Sequence, residues 1–180
     1  MLTFFGLHQC QMTQNVHHPP KIVVFAWTPL TGLLHLWKIM NNNLNIIRQV
    51  VEKGFGDADM DTIDRLVHAD VIEHQFGRPS GREALKKSIR SIVDGFSDRK
   101  YTLERYSIES DIVWVHYIFS GVHTGVFAGY EPTDKKIAIH VMDIVKIQDD
   151  QIIEHWGIPD RFALLSQIGV IQPVQFQVTK

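Results

Sequence analysis

Apolar positions along this chain follow mainly helical spacing as far as Gly95, with one alternating stretch over residues 71–76, and alternate afterwards. Leu44, Ile47, Val50 and Val51 recur at helical intervals, which predicts a helix from about Asn43, with Asn43 as its cap and Gly54 as its end. A short second helix is predicted from Met60 to Val67 behind Asp59. Residues 71–76 alternate and place Ile72, His74 and Phe76 on one face of a strand. After a turn over residues 77–81, Leu85, Ile89, Ile92 and Val93 form the stripe of a third helix that Gly95 closes. Strands are predicted over residues 101–110, 112–123, 136–148 and 151–158.

Helices followed by a strand meander signal an α+β fold, with helices on one face of a curved, mostly antiparallel sheet. The strand from Ile112 is apolar on both sides: Ile112, Trp114 and Ile118 on one, Val113, Val115, Tyr117 and Phe119 on the other. A sheet with one wet face should alternate more cleanly. A partner subunit is the simplest cover, so a homodimer through the open face of the sheet is expected.

With 180 residues and 44% apolar content the chain can bury one substantial core. A net charge of −2 without a long basic run argues against nucleic-acid binding. Cys10 is the single cysteine, which excludes an intrachain disulfide or a cysteine-based zinc site and fits a reducing, cytoplasmic setting. Residues 1–39 lack periodicity. Their apolar run, Ile22 to Trp37, is interrupted and falls short of the roughly 20 residues that span a bilayer, so no membrane association is expected. The expected organisation is an extension over 1–39, a domain over 40–172 and a tail over 173–180.

In the strand 136–148 the odd positions read Ile137, Ile139, Val141, Asp143, Val145, Ile147. Asp143 is the one polar member of that face, and a carboxylate there must be paired, hydrogen-bonded or protonated. A two-residue turn at Asp149 and Asp150 would set Asp143 opposite Trp156 on the same face. Asp160 precedes the apolar helix that starts near Ala163, where an Asp ordinarily serves as N-cap. Among the strand histidines, His74 and His123 join apolar faces close to glycine-bearing turns, and neutral imidazole suits proton exchange near neutrality. Trp156, Phe119, Tyr117, His155 and Phe76 are the candidate ligand contacts. One histidine per strand gives no metal spacing, and the glycines at 121, 125 and 129 form neither a dinucleotide fingerprint nor a phosphate loop. No cofactor and no metal are expected.

The phrases Gly121-Val-His-Thr-Gly125, Pro132-Thr-Asp-Lys135, Glu154-His-Trp156, Asp160 and Leu164-Leu-Ser-Gln-Ile-Gly169 resemble the SnoaL-like polyketide cyclases of the nuclear transport factor 2-like superfamily. The chain departs from the family phrase at Val122, Asp134 and Asp150. This resemblance implies a cone-shaped, cystatin-like α+β barrel and a cofactor-free cyclase or isomerase acting on a small hydrophobic carbonyl compound. It also implies that Asp160 is the general acid/base, with Asp143, His74 and His123 orienting it or polarising the carbonyl. A non-catalytic ligand-binding or dimerisation module is the rival from another class, and an epoxide hydrolase built on an Asp-Arg-Asp arrangement is the third. Convergence of at least two of Asp143, Asp160, His74 and His123 on one cavity would favour an enzyme.

Overall fold

The computed structural model describes residues 30–172. The expected extension as far as residue 29 and the tail over 173–180 lie outside the described residues. The first helix, α1 (Leu30–Gln49), begins well before Asn43 and runs into a π-helical stretch, Val50–Gly56. Asn43 therefore does not cap it: the side chain is buried inside the helix and donates to the Ser110 carbonyl at 3.4 Å. Burial nonetheless begins there. Trp37, Ile39 and Met40 are exposed, whereas Ile46, Ile47, Val50 and Val51 sit in the core.

The second helix, α2 (Met60–Leu66), is capped by Asp59, which accepts from the Thr62 amide at 3.1 Å and the Thr62 hydroxyl at 2.7 Å. Next come β1 (Val67–Glu73), α3 (Arg82–Gly95), β2 (Phe96–Glu109), β3 (Ile112–His123), β4 (Lys136–Gln148), β5 (Gln151–Pro159) and α4 (Arg161–Ile168). The strands form one sheet in the order β1-β5-β4-β3-β2, antiparallel except for the β1–β5 pair. Helices cover its inner face, which fits the expected α+β cone. Two apolar clusters fill that side: one under α1 and the π-helical stretch around Val113, Val115, Tyr117 and Val145, the other under α4 around Phe96, Phe119, Ile137 and Ile139.

The alternation expected for β3 and β4 is present. Val113, Val115, Tyr117 and Phe119 are buried, and the odd positions of β4 face the same way. At the β4–β5 hairpin Asp149 and Asp150 both have positive φ (50° and 61°), the geometry of a type I′ turn. Pairing starts in the expected register, Gln148 with Gln151 and Ile147 with Ile152, but Lys146 then pairs with Glu154. One extra residue, Ile153, is accommodated as a bulge. Asp143 consequently lies opposite Gly157, not Trp156, and the faces of β5 are exchanged beyond the bulge: His155 and Gly157 turn inward while Trp156 turns outward.

The face expected for residues 71–76 is also reversed. Val71 is buried and Glu73 largely so, while Ile72 and Phe76 are exposed. Parallel pairing sets Glu73 beside His155, and an ion pair with that histidine lets a carboxylate take the inner position that apolarity alone would have given to Ile72.

Candidate active site

A cavity of about 550 Å³ opens between the sheet, the β1–α3 connection, α3 and α4. Its walls are largely aromatic and aliphatic, with Phe96, Phe119, Phe127, Ile139 and Leu164 among them. Such a lining and volume suit an organic ligand of several fused rings. The polar groups are few and collect into two sets.

The first set is a chain of three side chains from three strands. Glu73 Oε2 lies 2.7 Å from His155 Nδ1, and His155 Nε2 lies 3.3 Å from Asp143 Oδ1. The second oxygen of Glu73 accepts from the Gln75 amide at 2.8 Å. All three side chains are mostly buried, between 10% and 18% exposed. Gly157 makes the arrangement fit. A Cβ there would come within 2.8 Å of the His155 ring and 3.2 Å of Asp143 Oδ1.

Burial opposes a charged imidazole, but hydrogen bonds and charge from Asp143 and Glu73 outweigh it and push His155 up to about 10. Burial likewise works to raise Glu73, yet the bond to His155 prevails and holds its carboxyl below the usual value. These bonds favour the imidazolium form of His155, and with two acidic side chains around one basic one the inner end of the cavity is acidic. Tyr101, whose ring also lines the cavity, is pushed above the usual phenol range by burial and then by the charge of Asp143. It remains a neutral donor.

The second set is Arg78, from the β1–α3 connection, and Arg161, the first residue of α4; both line the cavity, Arg161 being exposed and Arg78 partly so.

Of the four residues expected to be catalytic, Asp143 alone lines this cavity. Asp160 has the geometry of a helix cap. It is exposed, accepts from the Ala163 amide at 2.8 Å and does not line the cavity. His74 lies on the outer face, stacked on Trp156 with ring centroids 4.2 Å apart and bonded to Glu154 at 3.0 Å. His123 is fully buried, bonded to Thr133 Oγ1 at 3.1 Å and packed against Phe96. Of the expected ligand contacts, Phe119, His155 and Phe76 line the cavity. Trp156 faces outward and Tyr117 is packed in the core under the helices.

The expected convergence of two of those four residues on one cavity is not met; the side chains that do meet there are Glu73, His155 and Asp143. Glu73 and Tyr101 carried no sequence motif. Their only signal was a polar position next to, or within, an alternating apolar strand. The cation between the two carboxylates is an imidazolium, not the guanidinium of an Asp-Arg-Asp arrangement; Arg105 pairs with His116 on the outer side. Among the described residues no three His, Cys, Asp or Glu side chains converge as a metal site, and no helix is long and apolar enough to cross a membrane.

A cone of this shape with an acid–base cluster inside it defines a class of small α+β pocket proteins. The SnoaL-like polyketide cyclase family matches residues 45–168, and this chain belongs to it. Nogalonic acid methyl ester cyclase of Streptomyces nogalater is 28% identical over 122 residues, which span 64% of this chain and 89% of that protein. IdmH of Streptomyces antibioticus superposes with a TM-score of 0.63 at 25% identity, over 71% of this chain and 99% of its own. TsrD of Streptomyces laurentii shares the fold, with a TM-score of 0.68 at 21% identity over 73% of this chain and 97% of its own.

Proposed function

We propose that this protein is a cofactor-free cyclase that closes a ring by intramolecular aldol addition on a polycyclic carbonyl compound, with Asp143 as the acid/base. The observation that carries this reading is the Glu73–His155–Asp143 chain ending in an apolar cavity. Asp143 takes a proton from a carbon between carbonyl groups. The electron pair left behind forms an enolate, whose oxygen accepts a hydrogen bond from the Tyr101 phenol. That carbon attacks a second carbonyl, forming the C–C bond and breaking the C=O π bond, and the alkoxide takes the proton back from Asp143. His155 supplies the positive charge beside the buried carboxylate, and Glu73 fixes its ring. A relative named for nogalonic acid methyl ester makes polycyclic aromatic keto acids and their methyl esters the first substrates to try.

Turnover of whichever of these compounds is accepted should fall by about 10²- to 10⁴-fold in Asp143→Asn. It should remain near wild type in Asp160→Asn, where the amide still caps α4. Chromatographic assay of ring closure decides this; the reverse pattern transfers the chemistry to Asp160.

The working form is a homodimer assembled through the outer face of the sheet. Trp114, Met142 and Ile158 are 48%, 47% and 64% exposed there, a large apolar area for a free sheet face. An interface of about 1,600 Å² in total would cover it. Sedimentation velocity at micromolar concentration should give a dimer that Trp114→Glu turns into a monomer; a monomeric wild-type chain rules the dimer out.

A further inference from the structure

Arg78 and Arg161 do not belong to the acid–base cluster, yet both line the same cavity. Elsewhere, Arg48 is bonded to Glu52, Arg82 to Asp64, and Arg99 to the Phe96 and Gly56 carbonyls. By contrast, neither Arg78 nor Arg161 has a carboxylate within 4.0 Å among the described residues. Arg78 donates to the Ser88 hydroxyl at 3.0 Å, a neutral acceptor. Glu73 is the carboxylate whose field reaches Arg78, but its oxygens are engaged by His155 and the Gln75 amide.

Two guanidinium groups facing one cavity without an anion repel each other. Burial, and then the charge of Arg161, draw Arg78 below the usual arginine value. The opposite end carries the acidic cluster of Glu73, His155 and Asp143. The cavity is therefore polarised, acidic inside and basic where Arg161 meets solvent.

Resting on the cyclase reading of this cavity, we propose that its substrate carries a free carboxylate, gripped by Arg78 and Arg161 at the mouth, so that the enolisable carbon is delivered to Asp143. Guanidinium groups match a carboxylate in planar, two-pronged hydrogen bonds, and in a largely apolar surround such charge-assisted bonds are strong. The inner cluster repels the same anion, so attraction at one end and repulsion at the other fix a single orientation. A neutral ester would lose both, and ring-closing specificity between acid and ester would follow from these two residues.

The test is binding, not turnover, which separates it from the assignment of Asp143. Anthraquinone-2-carboxylate and its methyl ester are titrated calorimetrically into the full chain. The acid should bind at least about tenfold more tightly than the ester, with an affinity that falls as salt is raised. Arg78→Gln with Arg161→Gln should abolish the preference while leaving ester affinity unchanged; each single change should remove part of it. Equal affinities in the wild-type chain, or a preference that survives the double change, overturn the proposal and leave the cyclase reading standing. Failure of both probes to bind overturns the cavity reading and the carboxylate assignment together.

Discussion

Two histidine–carboxylate pairs lie where the end of β1 meets β5, one residue apart on each side, and face opposite sides of the sheet. Glu73 and His155 point inward and meet at 2.7 Å; His74 and Glu154 point outward and meet at 3.0 Å. The chemical groups are identical and the surroundings are not. Outside, Glu154 is held below the usual carboxylate value first by its bond to His74 and then by Lys146, whose ammonium lies 3.1 Å away, and water screens all three. Inside, His155 bridges two carboxylates in a largely apolar cavity, so every charge there depends on its partners. Burial, not composition, turns one pair into a candidate for catalysis and leaves the other as a surface contact.

Removing one inner partner should therefore have the largest effect. Glu73→Ala leaves His155 with Asp143 alone and strips compensation from a buried charge. About 3 kcal/mol of stability should be lost, read as a lower denaturation midpoint at unchanged slope. A change no larger than that of a typical surface substitution would show that the inner pair is screened after all.

A smaller effect should appear in the pH dependence. The folded value of His155, about 10, exceeds the ordinary 6.5, so its stabilising contribution is complete below about 6.5 and is lost as pH rises through about 10. Glu73, whose value is lowered, contributes in the opposite sense. Its share is present above the usual carboxylate range and disappears as pH falls through its folded value. Melting curves of the wild type should thus decline between pH 7 and 10, and His155→Gln should flatten that decline. His74→Gln, the outer counterpart, should leave the curve where it is; if it flattens the decline as much, the two faces do not differ in the way their burial implies.

Much of the fold was legible in the sequence because it rests on short-range pattern. Asp59 capping α2, the alternation of β3 and β4, the paired aspartates at the β4–β5 turn and the inward position of Asp143 all follow from periodicity and turn chemistry. The capping geometry of Asp160 likewise follows from its place just ahead of an apolar helix. The site itself was only partly legible. Asp143, His155, Phe119 and Phe76 were named, but Glu73, Tyr101 and Gly157 were not.

What the sequence determined by itself was which strands exist and which residues alternate within each. What only the tertiary structure decided was phase between strands. The single bulge at Ile153 exchanges His155 for Trp156 on the inner face, and parallel pairing of β1 with β5 brings Glu73 to that histidine. The side-chain period along a strand is two, so a displacement of one residue reverses every face beyond it. No local pattern encodes that displacement, because it is settled by the fit of Gly157 against Asp143 and by the need of a buried carboxylate for a charged partner.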